Sequence, residues 1–264
     1  MEFIKKLSER WVELYNFNDK LVVKRFLTKV QINDILEFYE KSNFLNKPEI
    51  IKFNKEQGFI LEKYLSWKVL NKPNNLETKK IVTSLLELSN EEIWTINLEK
   101  YLEENYNKKI NSINLWKKEK EVVNNFFNEI RKISLDENIN INWTHWDLKW
   151  DNIILKDSKA FFIDLEWLKK GHYIEDIQKF IQHTLKYNKV KTDDFLNNFY
   201  KYRNINWKLF LFLESFHYFL NQILQLSKNR ISLDEFKTYI LEKCNLMQNN
   251  KIWIIKKKGL KNMN

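Results

Sequence analysis

Glycine and proline are nearly missing: three Gly and two Pro stand in 264 residues, against usual frequencies of about 7% and 5%. That scarcity excludes collagen-like repeats, Gly-rich low complexity and Pro-rich linkers. Neither GxGxxG nor GxxxxGK[ST] occurs, so a Rossmann dinucleotide site and a Walker-type P-loop are ruled out. The single cysteine, Cys244, cannot make an intramolecular disulfide and gives no sign of an oxidising compartment. A long uncharged apolar run is also lacking. Met1 to Arg10 carries Glu2, Lys5, Lys6, Glu9 and Arg10, unlike a signal peptide. The most apolar stretch, Leu209 to Leu226, is interrupted by Glu214 and His217, which suits a buried helix better than a membrane span. A cytoplasmic protein with no transmembrane segment is the expectation.

What the chain does have is 44% hydrophobic and 15% aromatic residues, enough apolar surface to offset the ordering entropy of a globular fold. Its length allows one large domain or two lobes around a cleft. Lys and Arg exceed Asp and Glu by 45 − 35 = 10. The lysines are spread rather than clustered, so no nucleic-acid partner is expected. The exception is the tail, where Lys251, Lys256, Lys257, Lys258 and Lys261 surround Ile252 to Ile255. A frayed, solvated terminus is the simplest reading of it.

Periodicity divides the chain into a β-rich beginning and a helical remainder. Residues 2–7, 11–17, 21–26, 50–53 and 59–65 read as strands, with turns at Ser8-Glu9-Arg10, Asn18-Asp19 and Gly58. Ile32, Ile35, Leu36 and Tyr39 predict a helix over about 30–42. Residues 76–89, 93–107 and 115–135 read as helices. Strands at 139–144, 153–155 and 161–163 follow, and helices return after Gly171.

One stretch carries chemistry: Thr144-His145-Trp146-Asp147-Leu148-Lys149-Trp150-Asp151-Asn152, followed by Ile163-Asp164-Leu165-Glu166. A loop between short strands can aim Asp147 outward as a base, and the returning strand brings Asp164 toward Asn152. Two carboxylates and an amide oxygen make a hard oxygen site suited to Mg²⁺. A neighbouring carboxylate is what phosphoryl transfer needs to orient a hydroxyl nucleophile. A metal phosphohydrolase built on His145, Asp147, Asp164 and Glu166 is a competing reading, but it gives no role to the N-terminal half.

His145-x-Asp147-x-x-x-x-Asn152 with the following Ile-Asp-x-Glu resembles the aminoglycoside phosphotransferase and choline kinase superfamily of small-molecule kinases. The resemblance implies an α+β, bilobal protein-kinase-like fold, with a small β-rich N-lobe over 1–65 that binds nucleotide. A larger, mostly helical C-lobe over 66–264 would carry the catalytic loop and the metal-binding hairpin. It further implies Asp147 as catalytic base, Asn152, Asp164 and Glu166 as Mg²⁺ ligands, and His145 and Asp176 as supports of the loop. Lys24 in Val22-Val23-Lys24 resembles the strand lysine that grips the phosphates of ATP or GTP. Its partner would be Glu40, closer to the inward helix face, or Glu37. Ile60 to Leu65 resembles the hinge, where backbone groups near Glu62 and Tyr64 would read the base. The phosphate turn lacks glycine, and Ser8 and Arg10 would have to supply its contacts. Trp146, Trp150 and Trp167 are candidates for lining an acceptor site, as an ammonium cage with Glu166, and Glu214 on the apolar helix would face it. The expected partner is a small hydroxyl compound: choline or another amino alcohol, a sugar, or an aminoglycoside-like acceptor. The alternative is a catalytically inactive nucleotide-binding regulator or scaffold.

Overall fold

A computed structural model describes residues 1–8, 12–66, 73–132, 137–186, 188–203 and 206–249. Glu9 and Arg10 of the expected phosphate turn, the side chain of Ser8 and the lysine-rich tail lie outside the described residues. The chain forms two compact units: 1–94 with 140–204, and 95–139 with the residues from 205 onward.

The first unit opens on a five-stranded antiparallel sheet. Its strands are β1 (Glu2–Ser8), β2 (Val12–Phe17), β3 (Lys20–Phe26), β4 (Ile50–Asn54) and β5 (Phe59–Lys63), in the order β1-β2-β3-β5-β4. Asn18 and Asp19 join β2 to β3 with φ of 51° and 60°, the left-handed pair that matches the twist of a two-residue hairpin. Gly58 has φ +64° and leaves no room for a side chain, since a Cβ would lie 2.8 Å from the Leu27 carbonyl.

Strand alternation sorts this sheet into two faces. Val22, Phe59 and Leu61 form an apolar cluster with Tyr15, Phe17, Phe26 and Ile51. Val23, Arg25, Ile60 and Glu62 take the opposite face, because Val23 pairs with Glu62 and Arg25 with Ile60. Helix α1 (Lys29–Lys41) starts on a Thr28–Gln31 capping box and buries Ile32, Ile35 and Phe38. Each buried side chain of that size contributes about 1.5–3 kcal/mol.

The rest of this unit frames the loop between residues 144 and 165. Helix α2 (Asn75–Ser89) packs on the two-stranded hairpin of β8 (Ile153–Lys156) and β9 (Lys159–Phe162). The labels β6 and β7 denote Glu92–Asn97 and Asn138–Thr144; β10 (Lys169–Gly171) pairs antiparallel with β7. Helix α5 (Ile174–Phe180) runs into a π-helical turn, Ile181–Leu185, before α6 (Lys189–Tyr200).

In the second unit α3 (Leu98–Asn111), α4 (Lys117–Lys132), α7 (Trp207–Ser227) and α8 (Leu233–Asn249) pack through rings. Tyr106 stacks on Phe127 at 3.8 Å, and Phe219 meets Phe236 at 6.2 Å. The apolar stretch 209–226 is α7, with Leu213, Phe216, Phe219 and Ile223 fully buried. Among the described residues no helix is long and apolar enough to cross a membrane.

The order of elements, sheet first and helices after, agrees with the expected α+β class. One element differs. The helix expected from residue 93 begins only at Leu98, because Ile93-Trp94-Thr95-Ile96 is a β-branched and aromatic run that forms β6. Asn97 then caps α3 by accepting from the Glu99 N–H. β10 and the π-helical turn had no sequence counterpart.

Candidate active site

The loop after β7 is fixed from behind by buried groups. The His145 and Trp146 N–H groups donate to Oδ2 and Oδ1 of Asp176 at 2.9 and 2.8 Å. Asp176, at the start of α5, is 2% exposed. The fully buried His145 ring lies with Nε2 2.7 Å from the Ile163 carbonyl. Burial lowers its pKa, against the Ile163 carbonyl, Asp164 and Asp147, so the imidazole is neutral and donates through Nε2–H. It ties the loop to the strand end that carries Asp164. Trp146 has φ 60°, an unusual conformation for a bulky residue, held by the Asp176 bond.

Burial pushes the Asp176 carboxyl up to about 7, against the pull of the two N–H donors. Asp176→Ala leaves both donors without a partner and is expected to cost about 2–4 kcal/mol in denaturant unfolding. Because its folded value exceeds the ordinary aspartate value of about 3.9, the folded state keeps this proton longer than the unfolded one. Its contribution therefore falls as pH rises from about 4 to about 7. The stability advantage of the native protein over Asp176→Asn should shrink across that window. Parallel pH–stability curves for the two proteins would contradict this.

Ahead of this support, Asp147 and Asn152 are joined directly. The Asn152 amide nitrogen donates to the Asp147 carbonyl at 2.8 Å and to its Oδ2 at 3.1 Å. The amide oxygen is thereby turned to the other side. Lys149 Nζ lies 2.7 Å from the same Asp147 Oδ2. The Ile163 N–H donates to the Asn152 carbonyl at 3.0 Å, so hairpin and loop are registered against each other one residue before Asp164. Asp164 is left-handed at φ 64°, and its Oδ1 is 2.8 Å from Arg25 Nη1.

Arg25 is the residue that reaches Asp164, and this corrects the expectation for Lys24. Period-2 alternation puts Lys24 on the other face of β3, with its ammonium 4.5 and 4.7 Å from the Phe26 and Phe59 rings. The partner of the inward cation is Glu62, 2.8 Å from Arg25 Nε, rather than a glutamate of α1. Glu40 is exposed, and Glu37 bonds Lys170 and Lys41. Burial pulls the Arg25 guanidinium down, but Glu62 and Asp164 more than compensate and hold it charged.

The Tyr64 N–H donates to the Leu21 carbonyl, while Glu62 acts through its side chain. Glu166 is half-buried, its carbonyl accepts from Gln31, and its charge acts on Arg25. Trp167 is 44% exposed and Trp150 half-buried. The Trp146 ring carries Lys169 Nζ at 3.9 Å and Lys179 Nζ at 5.3 Å. Glu214, half-buried on α7, belongs to the other unit. Sequence reasoning gave no role to Arg25, Lys149, Lys169 or Lys179. Lys149 alone had a signal, standing two residues after Asp147 in the motif.

Among the described residues no group of three His, Cys, Asp or Glu side chains could hold a metal by itself. The donor chemistry here is one carboxylate and one amide oxygen, with Glu166 near Arg25. Such a set fits Mg²⁺ that takes its remaining oxygens from phosphates and water.

No family model and no curated protein matches the chain. Solved structures do. The ADP-bound aminoglycoside phosphotransferase APH(2'')-Ib is 15% identical with a TM-score of 0.63, over 93% of each chain. Choline kinase LicA from Streptococcus pneumoniae is 12% identical with a TM-score of 0.62, over 94% of this chain and 95% of its own. A choline/ethanolamine kinase family protein from Mesorhizobium loti is 10% identical with a TM-score of 0.60, over 94% and 88%. The chain shares the protein-kinase-like α+β fold of these solved structures.

Proposed function

We propose that the protein is an ATP- or GTP-dependent, Mg²⁺-dependent phosphotransferase that moves the γ-phosphoryl group to a hydroxyl of a small molecule. The observation that carries this reading is the bonded set of Asp147, Asn152 and the strand end before Asp164, with Arg25 braced on Asp164. Residues 1–65 would bind the nucleotide, with backbone groups near Glu62 and Tyr64 reading the base. Residues 66–264 would carry the catalytic loop and the acceptor.

Asp147 accepts the hydrogen bond of the attacking hydroxyl and takes its proton. The hydroxyl oxygen bonds to the γ-phosphorus as the bond to the β–γ bridging oxygen breaks, and the nucleoside diphosphate leaves. Lys149, held on Asp147, supplies positive charge beside that step. Asn152, Asp164 and Glu166 are the residues that would hold Mg²⁺, which when bound supplies charge against the phosphate oxygens. Arg25 fixes the rotamer of Asp164, and His145 and Asp176 fix the loop.

A second reading has one observation in its favour. Asp147 and Asp164 are each paired with a cation of the chain itself, as a non-catalytic nucleotide-binding regulator would allow. An assay of ADP release with MgATP and a panel of hydroxyl compounds separates the two. Acceptor-dependent ADP release, matched by phosphorylated acceptor, is the expected result. Nucleotide binding with no transfer to any acceptor would favour the regulator.

A further inference from the structure

Resting on the phosphotransferase reading, we propose that the acceptor carries an anionic group, a carboxylate or a phosphate, near its reacting hydroxyl. Lys179, with Lys169 and the Trp146 ring, forms the subsite for that group beside Asp147.

The lysines around the base are unequally matched. Lys149 has Asp147 as its partner at 2.7 Å. Lys169 has Glu175 at 2.7 Å, a carboxylate with a 1% exposed side chain. Gly171 lets Glu175 approach this closely, since a Cβ there would meet its Oε1 at 2.6 Å. Lys179 has no ion pair among the described residues, although it is half-buried and its ammonium lies over Trp146.

Burial and the nearby Lys169 both lower the pKa of Lys179, while Asp147, Glu175 and Asp176 raise it. Asp151, the other loop carboxylate, feels Lys149. Lys179 is followed directly by Phe180 and the wide π-helical turn 181–185, an irregularity often found at functional sites.

The same geometry disfavours a cationic acceptor. An ammonium cage needs an open aromatic ring, and the Trp146 ring already carries two ammonium groups at 3.9 and 5.3 Å. A quaternary ammonium would have to displace Lys169 and then sit among like charges. An anion meets Lys179 instead, which has no ion pair among the described residues.

The test follows the Trp146 indole N–H resonance in the full ¹⁵N-labelled chain, assigned by its loss in Trp146→Phe. Glycerate, a sugar 6-phosphate, glycerol and choline are titrated separately, and ADP release from MgATP is measured with each. Saturable shifts are expected with glycerate or the sugar phosphate, and the stronger arm tells carboxylate from phosphate. Lys179→Gln should weaken that binding about tenfold or more, the loss of a charge-assisted bond, while Lys179→Arg should retain it. Tighter binding of choline than of either anion, or no anion-dependent shift, would overturn the proposal. Anion binding that Lys179→Gln loses supports the subsite even without turnover. Failure of every acceptor to release ADP would contradict the phosphotransferase reading alone.

Discussion

Replacing Asp147 by Asn is expected to lower acceptor phosphorylation by about 10²–10⁴-fold, the usual worth of a positioned general base. The substitution keeps size and shape, and the backbone bond from Asn152 to the residue 147 carbonyl does not involve the altered atoms. Binding of nucleotide should survive, because Asp164 and Arg25 are untouched. The loss should fall on kcat rather than on the KM for ATP. Steady-state kinetics of purified variant and native protein check this. Undiminished turnover in Asp147→Asn would remove the loop carboxylate from the chemistry.

The second large effect concerns stability. Arg25→Met should cost about 3–5 kcal/mol, because it leaves a buried carboxylate without its counter-charge. Glu62 is 2% exposed and bonded to Arg25 Nε, whereas Asp164, with a 25% exposed side chain, is better solvated. Removing both buried charges in Arg25→Met with Glu62→Leu should recover most of the loss, since well-packed apolar replacements of an ion pair are often neutral. Urea unfolding of the two single variants and the double variant gives the coupling directly. Additive single effects would mean that the pair contributes no interaction. Lys24→Met, on the aromatic face of the same strand, should be milder than Arg25→Met.

The contrast between positions 24 and 25 shows what the sequence could and could not convey. The strand over 21–26 was legible from its β-branched run, but two adjacent valines followed by Lys-Arg do not reveal which face is inward. Only pairing with β5, which sets Arg25 opposite Ile60 and diagonal to Glu62, decides it. The partner was sought on α1, where helical spacing favoured Glu40, yet the pair forms within the sheet. The loop from His145 to Asn152 was legible because its chemistry is local in sequence. The lysines over Trp146 were not, since Lys169 and Lys179 arrive from β10 and α5, elements brought together by tertiary packing. β6 was missed for a simpler reason: residues 92–97 fit a strand, but their apolar positions also fit the start of the helix that follows.

The most direct measurement is a calorimetric titration of ATP into the full chain, with and without Mg²⁺, repeated on Asp164→Asn. Saturable binding that requires Mg²⁺ and is lost in the variant is the expected result. ATP that fails to bind, or binds equally well without the metal and to the variant, would contradict a phosphoryl-transfer centre built on Asp147, Asn152 and Asp164.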